Sequence, residues 1–434
     1  MDKINYNADF TIVDAAGADA SHGLAGICHV SRSQQCEVVG NVKFIQGFHH
    51  TKFLLEDSPW GSRGWTLQES ILSRRRIIFT EHGVSFLCNN MNMVEWERFP
   101  LHESGWDPTS DSNHFEEFML ARDPPSIRSE SHHVQMGIGA SARMIEGYTT
   151  RQLTRQEDAF NACRGILNLL RDSSRHTVWG IPATPRSICL AWEHMGPTQR
   201  VAGFPSWSFL GWKGSIHYLA DGELIVTPRA YLGGVDPNNR YYDLGQIENI
   251  SPEDILRDEE DQGCELRYLH LTERVIDLPL VYIDWTTNEW MQNHKPKAEP
   301  AIYASLKVTR KINELIKVQL DTEDWSGPTR GLMMMERCGP DKPERQVPKM
   351  KVLVIKDHGN FYERIGVIPM FEDSVFKMCS FYTRVYMNQT GDIIPELDAK
   401  DLQAKDSDPK HPLEKDSHIP LWFKEAKKET IILG

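Results

Sequence analysis

Residues 62–88, SRGWTLQESILSRRRIIFTEHGVSFLC, constrain the fold of this chain more than any other stretch. Thr66-Leu67-Gln68-Glu69 has the T-x-x-E spacing of a capping box, in which Thr caps a helix and Glu reaches back to the cap's amide. The spacing predicts a short helix ending near Ser73. RIIFT (76–80) and VSFLC (84–88) are apolar, β-prone runs separated by Glu81-His82-Gly83. A three-residue loop ending in glycine suits a hairpin, because glycine accepts the left-handed backbone that such a turn requires. A helix feeding a β-ribbon predicts a mixed α/β layer. Arg74, Arg75 and Arg76 form the only dense basic run, read as a solvated turn.

Around this block the chain alternates between strand-like and helical patterns. FTIVDAA (10–16) predicts a buried strand, followed by a small-residue loop through Gly26, and residues 41–55 hold material for another strand. SPWGSRG (58–64) is rich in turn formers. Residues 100–131 are polar and proline-bearing, as a linker or mobile loop would be. Thr154-Arg155-Gln156-Glu157 repeats the capping-box pattern. Behind it Ala159, Phe160, Cys163, Ile166, Leu167 and Leu170 recur at helical spacing, predicting a helix over 155–171. A further helix is expected over 188–194. The remainder reads as strands at 266–271, 280–285, 351–356, 363–368 and 381–387, with a turn at His358-Gly359-Asn360. Residues 251–262 and 398–417 read as exposed loops. The expected fold is mixed α+β: a partial α/β layer at the N-terminus, a helical middle and a β-rich C-terminal region. The expected divisions are 1–100, a polar linker at 101–147, and 148–434.

A formal net charge of −13 over 434 residues argues against general nucleic-acid binding, since a phosphate backbone rewards clustered Lys and Arg. The eight cysteines contain no CxxC pair, which disfavours a structural zinc site and fits a reducing, cytoplasmic setting. No apolar run approaches the roughly 20 residues of a membrane-spanning helix, so a soluble protein without a membrane span is expected.

Three segments resemble fungal heterokaryon-incompatibility (HET) domain proteins. Residues 1–27 resemble the family's helix end, strand and small-residue loop before a G-L-x-G turn. Residues 62–88 resemble its R-G-W-T-x-Q-E-x-L-L-S-x-R pattern, with Arg63, Gly64, Trp65, Gln68, Glu69 and Leu72 in one ungapped block. YTTRQLTRQEDAFNACRGIL (148–167), WGIP (179–182), LAW (190–192) and FPSWSFLGWKG (204–214) resemble the region that often follows the domain. The family's earlier Y-x-x-L-S-Y-x-W-G and W-I-D-x-x-C-I-x-Q segments do not occur in this sequence. The resemblance therefore implies a partial HET domain within 1–100. It also implies a role in non-self recognition and programmed cell death, with protein partners that include other HET-domain proteins.

HET domains have been compared with Toll/interleukin-receptor (TIR) domains, some of which cleave NAD with a glutamate on a short helix. The resemblance then offers Glu69 as a catalytic residue, with Trp65 and Arg63 as ligand-binding residues. Trp65 precedes Glu69 by four positions, which puts both on one helical face. The capping box explains Glu69 without catalysis and is the favoured reading. Arg63 could grip a phosphate or carboxylate with its planar fork, although an Arg in a turn more often ties down nearby carbonyls. Trp207 and Trp212 are read as core anchors rather than a ligand wall. His49-His50 and His132-His133 lack the spacing for chelation, because adjacent side chains diverge. No metal and no cofactor are expected, and NAD enters only as a substrate. Three functions stay open: an interaction and signalling protein, a TIR-like NAD glycohydrolase, and an inert remnant that modulates a full-length relative.

Overall fold

A computed structural model describes residues 2–33, 35–45, 54–55, 57–88, 91–95, 138–172, 176–185, 187–219, 224–225, 230–236, 238, 240–249, 266–284, 300–307, 312–336, 350–371, 385–388, 393–394 and 425–434. The chain divides into two compact units, residues 1–136 with 143–175 and residues 137–142 with 176–434. The expected linker at 100–131, the loops at 251–262 and 398–417, and both histidine pairs lie outside the described residues. Residues 138–149 are helical.

In the first unit, α1 (Asp2–Asn7) leads into β1 (Thr11–Asp14), and β2 (Cys36–Val39) pairs with β3 (Val42–Ile45) as a separate hairpin. Next come α2 (Gly64–Leu72), β4 (Arg75–Phe79), β5 (Val84–Cys88) and β6 (Met91–Val94). Helix α3 (Ile138–Thr149), which belongs to this unit from residue 143 on, and α4 (Ala159–Asp172) follow. The sheet order is β1-β4-β5-β6, with β1 parallel to β4 and the other pairs antiparallel. Helix α2 is the last element before β4 and packs on α4.

The helix-plus-hairpin expectation over 62–88 matches these elements, yet both of its local devices differ. Helix α2 begins at Gly64, with Arg63 as an extended N-cap that makes no side-chain cap bond. Thr66 is therefore inside the helix, where its hydroxyl donates to the carbonyls of Trp60 and Arg63 (2.6 and 2.7 Å). Glu69 is mid-helix and caps nothing. The β4–β5 loop does not use a left-handed Gly83. Thr80 closes it instead, accepting from the amides of His82 and Gly83 through its hydroxyl (3.3 and 3.2 Å). Arg76 corrects the solvated-turn reading. Arg74 and Arg75 are exposed, but Arg76 is buried, donates to the Ser70 carbonyl, and is pushed down to about 10 by burial.

The second capping box also fails to form. Arg155 caps a 3-10 turn at Gln156–Asp158 without a side-chain bond, and the regular helix starts only at Ala159. Behind that start, Ala159, Phe160, Cys163, Ile166, Leu167 and Leu170 are buried as their spacing predicted.

The second unit is built from strands. β7 (His176–Val178) and β8 (Ile181–Thr184) are joined by Trp179 and Gly180, both at positive φ (48° and 77°), as a two-residue type I′ hairpin demands. β9 (Ser187–Ile188) and β10 (Trp192–His194) occupy the stretch expected to be helical. The five-residue apolar run Ile188–Trp192 is too short for periodicity alone to tell a helix from a strand. β11 (Gln199–Arg200), β12 (Trp212–Lys213) and β13 (Ile216–Tyr218) complete this region, with β10 paired to β13 and β11 to β12.

The largest sheet contains β14 (Leu224–Ile225), β15 (Tyr231–Gly233), β16 (Arg240–Asp243) and β17 (Tyr268–Asp277). A second sheet holds β18 (Leu280–Ile283), β19 (Ala301–Lys307) and β20 (Ile312–Lys317). The chain returns to the large sheet with β21 (Gln319–Leu320), β22 (Thr329–Glu336), β23 (Met350–Asp357) and β24 (Tyr362–Phe371). β25 (Val385–Asn388) and β26 (Ile393–Ile394) extend the second sheet, and β27 (Lys427–Leu433) rejoins the first. The large sheet closes on itself. β22 pairs with β23, β23 with β24, β24 with β27, β27 with β17, and β17 again with β22. Each of these five strands thus has a neighbour on both sides, with β24 and β27 meeting at Tyr362 and Leu433, while β14 and β16 end the sheet. Val352, Val354, Ile365, Ile368, Met333 and Ile276 of the ring share a core with Ala304 and Leu306 of β19.

The structure is thus mixed α+β with a β-rich C-terminal region, as the sequence predicted, while among the described residues helices are few. The expected strands at 351–356 and 363–368 lie within β23 and β24, while 266–271 joins β17 only from Tyr268 and 280–285 is strand only to Ile283, residue 285 lying outside the described residues; Gly359 turns at φ 86°. Of 381–387, residues 381–384 lie outside the described residues and the rest are in β25.

Candidate functional site

The candidate site residues lie in the first unit, on or beside α2. Seven of its residues are buried: Gly64, Thr66, Leu67, Gln68, Ser70, Ile71 and Leu72. Trp65 and Glu69 are the remaining two, both half-buried, so they form the accessible stripe of the helix. Four residues of separation bring them to one face because a helix turns once every 3.6 residues. Glu69 takes its hydrogen bond from the turn ahead of the helix, where the buried indole N–H of Trp60 donates to Oε2 at 3.3 Å.

Arg63 is exposed and contributes its main chain. Its carbonyl accepts from Thr66 and from the guanidinium of Arg151 (3.4 Å), which also donates to the Thr66 hydroxyl (3.0 Å). Burial pushes Arg151 down to about 10. Residues 62–64 are stitched to the segment after α3: Gly64 N donates to Gln152 O, and Gln152 N to Ser62 O, both at 2.7 Å. The site therefore joins pieces far apart in sequence. Trp60, Arg151 and Gln152 were missed by sequence reasoning, although SPW and YTTRQ were visible as distinctive words.

Gln68 has a structural role. Its amide donates to the carbonyls of Asn161 and Ala162 (2.9 and 2.6 Å) and accepts from Gly165 N (2.9 Å). Three bonds to the backbone of α4 make it a clamp between helices. This explains a glutamine in the R-G-W-T-x-Q-E block without reference to chemistry.

A second surface of the unit is open in a different way. One face of the sheet is buried through Val13, Arg76, Ile78, Ser85 and Leu87. An antiparallel sheet with one covered face usually alternates to polar residues on the other. Here most outward positions are apolar: Ile12 on β1, Ile77 and Phe79 on β4, Val84 and Phe86 on β5, and Met93 on β6, with the charged Asp14 and Arg75 at the ends of β1 and β4. The register sets Ile12, Ile77, Phe86 and Met93 in one row across all four strands. Ile12 is 54 % exposed and Met93 50 %.

The aromatic words of the second unit are core. Trp207 and Trp212 are buried, and their N–H groups donate to the carbonyls of Arg267 (3.1 Å) and Ser206 (2.8 Å). Trp179 donates to Leu266 O (2.8 Å), and its own carbonyl accepts from the Ser208 hydroxyl (2.6 Å). Satisfied indoles facing backbone carbonyls form anchors, not a ligand wall. The sequence did not point to the buried ion pair between Arg364 and Asp321 (2.8 Å), both fully shielded from solvent. Arg364 also donates to Leu190 O (3.0 Å) and Trp192 O and lies over the Trp192 ring. An Arg within the apolar ERIGVI strand was the available signal, because charged residues are almost never fully buried unless paired.

Among the described residues no helix is long and apolar enough to cross a membrane. No group of three or more His, Cys, Asp and Glu is arranged to hold a metal ion there. No curated protein and no solved structure matches the chain. Residues 1–69 match the family model described as Heterokaryon incompatibility protein (HET), a match that runs from α1 to Glu69. The first part of this chain, up to and including the Trp65–Glu69 stripe, is thus similar to HET-domain proteins.

Proposed function

We propose that this is a heterokaryon-incompatibility-type protein that acts through protein contact in fungal non-self recognition and programmed cell death. The observation that carries this reading is the apolar outer face of the first unit's sheet, within a unit that begins with the HET match. An apolar row across four strands, exposed at Ile12 and Met93 and half-buried at Ile77 and Phe86 between them, is the kind of patch that marks interaction sites more often than chance exposure does. Proteins bearing HET segments are the proposed partners, and the cytoplasm the proposed compartment.

A second reading rests on Glu69. With no capping duty, half-buried, and holding an indole N–H, it is free to act as the glutamate of a TIR-like NAD glycohydrolase, with Trp65 and Arg63 flanking the substrate. General acid–base work needs such a group within hydrogen-bond reach of the substrate. One experiment separates the two readings. Wild-type protein and Glu69→Ala are expressed in fungal cells, and both viability and NAD are followed. Protein contact predicts equal loss of viability from both, with NAD unchanged. Loss of both killing and NAD consumption in a folded Glu69→Ala protein would replace this reading with the enzymatic one. Wild-type expression harmless to cells would favour an inert remnant.

A further inference from the structure

His194 ends β10 with its side chain 1 % exposed. Its Nε2 lies 3.8 Å from Asp321 Oδ1 and 3.3 Å from the Thr198 hydroxyl. Trp192 and Trp212 meet its ring edge-on, with centroids at 5.2 and 5.7 Å. The other carboxylate oxygen of Asp321 is taken by Arg364 Nε, and the same guanidinium holds the carbonyls of Leu190 and Trp192. One cation and one anion thus balance beside a neutral imidazole, and the clamp they form ties β10 to β24. Among the described residues, neither Asp321 Oδ1 nor His194 Nδ1 has a hydrogen-bond partner.

We propose that this cluster is an acid-sensitive latch: proton uptake by His194 places a second cation beside Arg364 and loosens the β10–β24 clamp. Burial, two charged neighbours and the Ser215 backbone act on an incoming proton. Full burial opposes it, because a buried charge loses its hydration. Asp321 attracts it, but that carboxylate is already engaged by Arg364. Arg364 repels it. Burial is the largest of these and holds the imidazole below its ordinary value, with Arg364 adding to the effect and Asp321 and the Ser215 backbone opposing it. Glu193, next on β10, is raised by burial, with His217 and Lys351 lowering it and Asp321 raising it further. Arg200, stacked over Trp212, is itself neutralised by Glu363 at 3.2 Å. His270 on β17, buried and bonded to Gly234 O (2.8 Å), is lowered by burial as well.

The sign follows from proton counting. An unfolded histidine takes its proton near pH 6.5, and the buried one takes it at lower pH. Between those values the unfolded state binds more protons, so stability is full above about 6.5 and falls as the solution becomes more acidic. Glu193, as a raised carboxyl, acts in the opposite sense at lower pH.

Hydrogen exchange of the full-length protein at pH 7.5, 6.5 and 5.5, corrected for intrinsic rates, tests the latch. Peptides spanning 188–219 and 362–368 are expected to open more readily below pH 6.5, by up to about tenfold per pH unit for each histidine. His194→Gln should remove its share of that slope, and His270→Gln should leave the His194 share in place. A corrected rate that ignores pH, or a His194→Gln protein with the wild-type slope, overturns the proposal. If His194→Gln does not fold, the wild-type imidazole is titrated by NMR. A midpoint at or above 6.5 then overturns the latch, and one clearly below supports it.

Discussion

Replacing Gln68 with Ala removes one amide that serves three backbone partners on α4 and leaves those partners buried. At roughly 1 kcal/mol per net bond plus the penalty for orphaned groups, unit one should lose about 2–4 kcal/mol, measured by urea unfolding. Its neighbour should behave differently. Glu69→Ala removes one exposed-side hydrogen bond and no helix cap, so a change within about 1 kcal/mol is expected, with unaltered helix content by circular dichroism. The capping-box reading would require a larger loss and a frayed helix. In the second unit, Arg364→Met strands Asp321 in the core and should cost about 3–5 kcal/mol. Pairing it with Asp321→Leu should recover part of that loss, since the desolvation penalty disappears with the charges. The T-x-x-E spelling misled because it is equally compatible with a helix that begins three residues earlier. The side chains that settle the start, Thr66 bonding back to Trp60 and Arg151 reaching Thr66, are tertiary contacts.

Elements were most legible where local pattern and burial agree. β4 and β5 were visible as apolar runs, and α4 as a helical stripe whose residues are buried. The region 188–194 misled because its apolar run is short, and because its carbonyls bond a distant guanidinium instead of a following helical turn. Turns show the same division. Gly359 adopts the positive φ its neighbours suggested, while Gly83 does not, because Thr80 supplies the closing bonds. Gly61, in the SPWGSRG turn, is required by close approach: a Cβ there would sit 1.9 Å from Leu55 O, a backbone atom that cannot swing aside. Gly61→Ala is therefore expected to destabilise the turn that carries Trp60, by about 1–3 kcal/mol in thermal or urea melts. The loss of Trp60 alignment should accompany it as a shift in tryptophan fluorescence.

At the scale of the whole molecule, closure of the β22-β23-β24-β27-β17 ring was not legible, since it depends on pairings across more than 150 residues. Nor was the meeting of 62–64 with Gln152, although both segments were recognisable words. What the sequence did carry was the family likeness, and the match over residues 1–69 supports it. We propose that the outward apolar row of the first unit's sheet is its working surface. Ile12→Asp combined with Met93→Asp adds two charges at half-exposed positions without touching the buried face. Expressed in fungal cells, this double variant should melt within a few degrees of wild type and no longer reduce viability. A variant that melts normally and kills as wild type does would contradict the claim.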